Sequence, residues 1–269
     1  MNRCLSLLFC LLLASCASNA RLKQVRSFTA EAPSLAAFSD LSQRFRDTYQ
    51  REQPYLSPQA AEREAVIDRK RHEAYPDFIA LEHAAALYLQ ALDALAAGDA
   101  FDLRHEVKGM AEGIKAWPDT GLTDRHVDAY SGLTRLLVRA AGMRQQDLAV
   151  QAMLREGYQP LQDTLDAMLA LLGYFDKNHD NEQRIVLGML EVEIPYAEAP
   201  QQRLLAALAR SHQQEKQREY RLFGLRHTLA AQHIAAMRAQ LAALVQGLDA
   251  PASAAPATLP VAAQQGAQP

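Results

Sequence analysis

Residues 201–246 read QQRLLAALARSHQQEKQREYRLFGLRHTLAAQHIAAMRAQLAALVQ, a stretch that contains no proline and a single glycine, Gly224. Proline and glycine are the residues that most destabilise the interior of a helix. The stretch therefore predicts one continuous helix of roughly 70 Å at 1.5 Å per residue. A helix of this length dominates the fold, because the shorter helices of the chain must pack along it.

The chain before this helix has the same helical periodicity. Apolar side chains recur three and four residues apart, and turn residues separate the runs. Helices are predicted to begin near Ser34, Pro58, Pro76, Leu103, Thr123 and position 145. The sequence therefore predicts an all-α fold, an elongated helical bundle of about six to eight helices with a long carboxyl-terminal helix.

Two segments interrupt or obscure this pattern. Asp176, Asn178 and Asp180 are spaced like the first ligands of a calcium loop, but Asn181 and Leu187 stand where such a loop needs Gly and a bidentate acid. We interpret this segment as a polar turn between helices. Residues 183–194 fit either a helix or a strand, and we favour the helix because a single strand has no partner to pair with.

The amino terminus has the organisation of a secretion signal. Arg3 supplies a positive charge, residues 4–13 form an apolar run, and Leu13-Ala14-Ser15-Cys16 follows. The run is too short to span a bilayer, which takes about 20 apolar residues. The segment Leu13-Ala14-Ser15-Cys16 resembles the lipobox of bacterial lipoprotein precursors.

This resemblance implies cleavage before Cys16 and acylation of Cys16, and two or three acyl chains hold a protein on a membrane almost permanently. Ala17 is not acidic, which in Gram-negative lipoproteins implies sorting to the outer membrane, with the domain in the periplasm. The alternative is an ordinary signal peptide that is cut near Ser18-Asn19-Ala20.

The predicted chain has four parts. A signal peptide spans residues 1–15, a lipidated tether 16–33, the helical bundle 34–248, and a disordered tail rich in Ala and Pro 249–269. Cys4 and Cys10 leave with the signal peptide and Cys16 carries lipid. We therefore expect no disulfide in the bundle.

Composition and motifs argue against several classes of function. The net charge of −3 gives no reason to expect nucleic-acid binding. The sequence has no phosphate-binding glycine loop and no nucleophile elbow. No two of the eight histidines are three or four residues apart, the spacing of helical metal ligands. We expect no cofactor and no metal site, and the sequence favours a protein that is not an enzyme.

The long helix carries the candidate interaction surface. At 100° per residue its leucines form a stripe that includes Leu204, Leu208, Leu222 and Leu229. The stripe is interrupted by His212, Glu215, Glu219 and Arg226. These residues either form a buried polar layer that fixes register or face water or a partner. We expect the second arrangement, in which the loss of Glu219 changes stability by only a few tenths of a kcal/mol.

Charge is also partitioned along the chain. Residues 147–198 contain ten acids and three bases, a net charge of −7, and residues 201–238 contain seven bases and two acids, a net charge of +5. Four bases share one side of the long helix: Arg203, Arg210, Arg218 and Arg221. This basic side fits anionic lipid or an acidic partner, or it neutralises the acidic helix beside it.

The function expected from these features is a membrane-tethered helical lipoprotein that binds or scaffolds another component of the bacterial envelope. Its partners are the membrane, through the lipid anchor, and an unidentified envelope protein. One alternative is a periplasmic immunity or inhibitor lipoprotein. The other is an envelope hydrolase with a site assembled across helices.

Replacing Cys16 with Ser removes the thiol that the lipobox supplies, and we expect the protein to leave the membrane fraction. Membrane fractionation and mass spectrometry of the amino terminus measure this outcome. Cys10→Ser, which changes a cysteine of the apolar run, serves as the control and should stay in the membrane. A Cys16→Ser protein that remains with the outer membrane and still begins at residue 16 would contradict the lipoprotein prediction.

Overall fold

A computed structural model describes residues 19–98, 107–110, 113–140, 146–198 and 200–249. Three predictions lie outside the described residues: the signal peptide, the lipidated Cys16, and the disordered tail beyond residue 249. The helix predicted to begin near Leu103 also lies largely outside them.

The described residues form α-helices joined by short 3₁₀ turns. Helix α1 comprises residues 19–29, α2 Ala36–Arg46, α3 Thr48–Glu52, α4 Pro58–Ala97, α5 Asp124–Ala140, α6 Gln146–Glu193 and α7 Arg203–Asp249. The 3₁₀ turns are Ala32–Leu35, Gln53–Tyr55, Pro118–Thr120, Ile194–Glu198 and Pro200–Gln202. Helix α6 lies at the centre and packs against α4, α5 and α7.

The all-α prediction is confirmed, including the long carboxyl-terminal helix. Residues 183–193 belong to α6, and Ile194–Glu198 continue it as a 3₁₀ turn, so the helix is the correct alternative for this segment. Within the described ranges the β-structure amounts to an isolated bridge between Trp117 and Leu122.

The residues at both ends of helix α4 account for where it begins and ends. The Ser57 hydroxyl accepts a hydrogen bond from the Ala60 amide at 3.3 Å, and Pro58 occupies the first turn, where no amide hydrogen is needed. Gly98 follows the last turn at φ 78°, a left-handed conformation that glycine adopts without strain.

Two predicted helix boundaries are wrong, because packing outweighs local sequence signals. Pro76 lies inside the 40-residue helix α4, between the buried side chains of Ala74 and Phe78. The predicted polar turn at residues 176–181 lies inside the 48-residue helix α6. Its polar residues continue the helix because several of them are bonded to neighbouring helices, as described below.

The predicted tether is also wrong in part. Residues 19–29 form helix α1, in which Val25 and Phe28 are buried in the core. The hydroxyl of Thr29 donates a hydrogen bond to Asp93 of α4 at 2.7 Å. The packed bundle therefore begins before residue 34, and within residues 16–33 only the first three lie outside the described part of the chain.

Aromatic side chains from three helices meet in the core. Phe175 of α6 stacks on Phe45 of α2, with 4.6 Å between ring centroids, and also contacts Phe38 and Phe78. Each such pair adds to the stabilisation that comes from burying the rings. This cluster fixes α2 and α4 against the middle of α6.

Helix α4 is long and apolar enough to span a membrane by length and composition, and of the described helices it alone meets that test. Half of the apolar window is buried inside the bundle. Phe78, Leu81 and Leu89 are among its core side chains. The core helix of a bundle meets the same test, so the packing supports that role for α4.

The leucine stripe that the sequence places on one side of α7 does not face the core over the first half of the helix. Leu204, Leu208, Leu222 and Leu229 are exposed. The buried side chains instead recur every seven residues, at Tyr220, His227, Ile234, Leu241 and Leu248. A seven-residue repeat keeps one seam against neighbouring helices, as in coiled coils. Hydropathy alone did not find this seam, because Tyr and His occupy two of its positions.

Helix α6 passes so close to Tyr88 that position 157 must be glycine. A Cβ atom added to Gly157 would lie 2.6 Å from two ring carbons of Tyr88. Tyr88 is fully buried and donates a hydrogen bond to the Met153 carbonyl at 2.7 Å, so it has no room to move. We expect Gly157→Ala to lower the free energy of unfolding by about 1–3 kcal/mol in urea titrations.

The control is Gly173→Ala in the same helix, where the added Cβ would meet nothing within 4 Å. Alanine is favoured over glycine in helices, so we expect a gain of up to about 1 kcal/mol there. Equal effects at both positions would contradict the close approach to Tyr88.

Candidate functional site

A group of polar side chains lies buried where α2, α3, α4, α6 and α7 meet. We call it the polar cluster, and its members are Arg44, Thr48, Arg51, Glu52, Arg71, Asn178, His179, Glu182, Tyr220 and His227. Buried charges are uncommon in proteins and require partners. The charged side chains of this cluster must therefore find their partners within it.

Glu182 of α6 is the centre of the cluster, and its side chain is only 1% exposed. Arg51 of α3 donates two hydrogen bonds to the carboxylate, at 2.8 and 2.7 Å. The Tyr220 hydroxyl of α7 donates a third at 3.2 Å. The Arg44 guanidinium of α2 lies 3.5 Å from the same carboxylate. The carboxylate of Glu182 thus connects α6 to three other helices, α2, α3 and α7.

Arg44 extends the cluster towards the surface of α7. Its guanidinium lies over the Phe223 ring, 3.8 Å from the centroid, and pairs with the carboxylate of Glu219 at 2.8 Å. Lys216 lies 2.8 Å from the other oxygen of Glu219. These contacts lower the pKa of the Glu219 carboxyl although burial opposes them. Glu219 therefore forms the outer edge of the cluster.

Asn178 and His179 come from the segment predicted as a turn. The Asn178 amide donates to the Thr48 hydroxyl at 2.9 Å, and Arg71 of α4 donates to the Asn178 oxygen at 3.1 Å. His179 Nε2 lies 3.0 Å from the Tyr220 carbonyl oxygen, so this nitrogen carries the proton. The polar residues of α6 are therefore bonded to three other helices.

His227 of α7 packs against His179, with 5.5 Å between the ring centroids. Burial is the main cause that lowers the pKa of His227, to about 4, and His179 and Arg44 add to the effect. Burial also lowers the pKa of His179. Both rings are therefore neutral at neutral pH, and neither is a proton donor suited to that pH.

Glu52 of α3 is the most perturbed carboxyl of the cluster. Burial raises its pKa to about 7, with further contributions from the charges of Glu64 and Glu182. Its Oε2 atom is buried and has no hydrogen-bond partner among the described residues. A carboxyl with such a pKa is a candidate acid or base in an enzyme, if a substrate can reach it.

Glu52 is only 1% exposed, so its carboxyl is closed off from solvent within the described residues. The cavity beside Arg44, Arg51 and Glu182 has a volume of about 10 Å³, which admits at most one water molecule. A sugar or peptide cannot enter a space of that size. The cluster is therefore suited to fixing the register of the helices.

Metal binding has no candidate site in the ranges that the structure describes. No group of three or more His, Cys, Asp or Glu side chains there could hold an ion. His179 and His227 are adjacent, and the positive charge of Arg44 contributes to lowering the pKa of both.

The structure does not bring the four residues that interrupt the α7 stripe together as one site. Glu219 joins the polar cluster, contrary to the expectation that it faces water or a partner. The His212 ring stacks parallel to Tyr55 at 6.2 Å, and its Nε2 lies 2.5 Å from the Tyr55 hydroxyl. Arg226 lies over the outer side of Phe223 at 5.0 Å, and Glu215 is exposed.

The four predicted basic residues, Arg203, Arg210, Arg218 and Arg221, are all exposed along α7. Arg238 pairs with Asp166 of α6 at 2.8 Å, so complementary charge joins α6 and α7 in that region. Arg218 and Arg221 have no ion pair with any described residue. Charge matching between the two helices therefore does not account for Arg218 and Arg221.

Sequence reasoning missed Arg44, Arg51, Glu52 and Glu182 as functional or structural residues. A signal was present for Arg44, because it lies three residues after the buried Leu41 and one before the buried Phe45 on the inward face of α2. For Glu182 the signal is weak, because a glutamate in a polar segment normally faces water.

The α6–α7 hairpin exposes an apolar group at its end. We call Tyr196, Leu204, Leu205 and Leu208 the tip patch; they are 79%, 74%, 55% and 60% exposed. On the inner side of the same turns, Val186, Leu190 and Ile194 form a small separate core with Tyr220. The side chains of the tip patch therefore do not contribute to the packing of the hairpin.

A groove with a volume of about 990 Å³ lies between α1 and α4. It contains the carboxyls of Glu82 and Asp93, which accept hydrogen bonds from Ser39 and Thr29. Their positions in α4 are about 16 Å apart at 1.5 Å per residue. Paired glycosidase carboxylates are about 5–9.5 Å apart, so this groove does not present such a pair.

Removing the charge of Glu182 tests the role of the polar cluster. Glu182→Gln keeps the shape of the side chain but leaves Arg51 without its buried counter-charge and Arg44 with Glu219 alone. We expect the free energy of unfolding to fall by about 3 kcal/mol or more in urea titrations. The control Glu193→Gln, at an exposed position near the end of the same helix, should stay within about 0.5 kcal/mol of wild type. If Glu182→Gln lowered the free energy of unfolding as little as Glu193→Gln does, the structural role of the polar cluster would be contradicted.

Comparison with known proteins adds no functional assignment for these sites. No family model, no curated protein and no solved structure shows a significant match to this chain.

Proposed function

We propose that this chain is a lipid-anchored helical lipoprotein of the bacterial outer membrane, and that its bundle binds or scaffolds another envelope protein from the periplasmic side. The anchor is Cys16 of the segment that resembles a lipobox. The observation that carries the binding role is the tip patch at the end of the α6–α7 hairpin.

The tip patch has the composition of a protein-binding surface. Large exposed apolar groups are uncommon on isolated proteins and often mark interaction sites. Tyr196 is 79% exposed, and tyrosine is enriched among the residues that dominate binding energy. Leu204 and Leu208 are one helical turn apart, so both present their side chains to the same partner.

The charges around the tip patch suit a protein rather than an anionic membrane. Glu191 and Glu193 of α6 are exposed just before the patch, and Arg203 is exposed at the start of α7. A polar rim of both signs around an apolar centre is the usual composition of protein interfaces. An anionic lipid surface would instead repel the two carboxylates.

The rest of the bundle supports a scaffold role by holding the hairpin rigid. Helices α6 and α7 have 48 and 47 residues, and the polar cluster ties both to α2 and α3. A surface presented on rigid helices loses little conformational entropy when a partner binds.

A periplasmic immunity or inhibitor lipoprotein is a special case of this function, in which the bound protein is a toxin or an enzyme. The identity of the partner decides between the two. A hydrolase is less favoured, because Glu52 and Glu182, the buried carboxyls of the polar cluster, are each only 1% exposed.

The tip patch is tested by crosslinking intact envelopes and capturing the lipidated protein with its bound partner. We expect Leu204→Ser combined with Leu208→Ser to reduce the captured partner tenfold or more, because two anchor side chains are removed from one interface. Quantitative mass spectrometry of the captured proteins provides the measurement.

The matched control is Val138→Ser, which removes an apolar side chain of similar exposure, 58%, from α5. We expect no change in the captured partner there. Urea titration checks that the variants fold equally well. A partner captured equally by the tip variant and by the wild type would exclude the tip patch as the binding surface.

A further inference from the structure

The middle of α7 exposes a second surface whose composition differs from that of the tip patch. Over residues 218–229, the exposed side chains are Arg218, Arg221, Leu222, Leu225, Arg226, Thr228 and Leu229. Three are leucines, three are arginines and none is acidic. We call the leucines and arginines of this set the lateral face. Its leucines are 51–58% exposed, although they belong to a well-packed helix.

The lateral face is directed away from the bundle. Leu222 follows the buried Tyr220 by two residues, and Leu229 follows the buried His227 by two residues. Two residues correspond to 200° around a helix, so these leucines lie opposite the core. No described element covers them. The lateral face is therefore free to contact a partner outside the bundle.

The one acidic residue of the stretch does not offset this charge. Glu219 turns inward, and its carboxylate pairs with Arg44 and Lys216 at 2.8 Å each. The guanidinium of Arg226 lies over the Phe223 ring, 5.0 Å from its centroid, so its positive charge stays beside the leucines. The exposed side chains of these three turns are thus apolar or positively charged, apart from Thr228.

The positive charge of the lateral face decides which kind of partner can bind there. A second copy of the chain packed on the same face would bring the arginines of both copies together without an exposed acid of that face to pair with them, and like charges at an interface are unfavourable. A surface with phosphate groups and an apolar layer behind them matches both the arginines and the leucines of the lateral face. Leucines flanked by basic residues on one side of a helix are typical of segments that lie in the membrane interface.

We propose that the lateral face of α7 binds the surface of an anionic phospholipid bilayer. The leucines enter the boundary between headgroups and acyl chains, and the arginines bind the phosphates. Arginine suits this position, because its planar guanidinium forms paired hydrogen bonds with phosphate and its aliphatic stem lies along apolar groups. The lipid attached at Cys16 would hold the protein on a membrane, and the lateral face would set which side of the bundle contacts it.

This inference goes beyond the proposed function and uses different residues, so either can fail without the other. The experiment uses the mature chain without its acyl groups, residues 17–269, which keeps every described residue. Sucrose-loaded vesicles of phosphatidylethanolamine with roughly 30% phosphatidylglycerol, whose anionic headgroups attract basic residues near the surface, are sedimented with the protein. Vesicles of phosphatidylcholine alone are the neutral comparison.

We expect binding to the anionic vesicles and at least tenfold weaker binding to the neutral ones. Arg218→Gln combined with Arg221→Gln should lower the partition coefficient roughly 25-fold, about 5-fold for each arginine near an anionic surface. Leu222→Ser combined with Leu225→Ser should lower it by a similar factor, because two half-buried leucines are lost from the interface. Tryptophan fluorescence during urea unfolding confirms that the variants are folded.

The controls are Arg203→Gln and Leu208→Ser, which change the same residue types on α7 outside the lateral face. Both should bind vesicles like the wild type. Wild-type protein that does not sediment with anionic vesicles overturns the inference. So does a loss with the arginine variant but none with the leucine variant, which indicates attraction at a distance without insertion. Loss of the crosslinked protein partner in the lateral-face variants, with vesicle binding unchanged, assigns the surface to an acidic protein and also overturns it.

Discussion

The carboxylate of Glu182 accepts hydrogen bonds from Arg51 of α3 and Tyr220 of α7 and lies beside Arg44 of α2. An ionised carboxylate inside a protein is costly unless its partners are all in place. The helices that supply these partners can therefore shift along α6 only by breaking the pairs. Apolar packing alone does not impose this restriction, because leucine contacts can be exchanged for similar ones one turn away.

The register set by Glu182 decides which side of α7 faces outward. Tyr220 and His227 occupy core positions of the seven-residue repeat, so Leu222 and Leu229 must lie on the opposite side. If the leucines faced inward instead, Tyr220 and His227 would be exposed and Glu182 would lose a hydrogen-bond donor. The polar cluster on the inside and the apolar surface on the outside are thus two consequences of one arrangement.

The helical class and the long final helix were predictable from periodicity, because the spacing of apolar residues and the absence of proline extend over many turns. The orientation of α7 was not. Its seam contains Tyr220 and His227 where a hydropathy stripe contains leucine, and the partners that make these residues suitable for burial come from distant parts of the chain. For the same reason Asn178 and His179 indicated a turn, whereas their bonds to Thr48 and Tyr220 place them inside α6. Pairing across helices is not visible in a single sequence.

The arrangement of α7 also bears on what its outer surfaces are able to do. The three turns that carry the lateral face outside are the turns that carry Glu219 and Tyr220 inside, where Arg44 and Glu182 hold them. These turns cannot tilt or unwind without stranding a buried charge, so the leucines and arginines outside keep fixed positions. A preorganised surface loses little entropy on binding, which allows a few side chains to give measurable affinity. The buried ion pairs are in this sense part of the interaction surface, although none of them touches it.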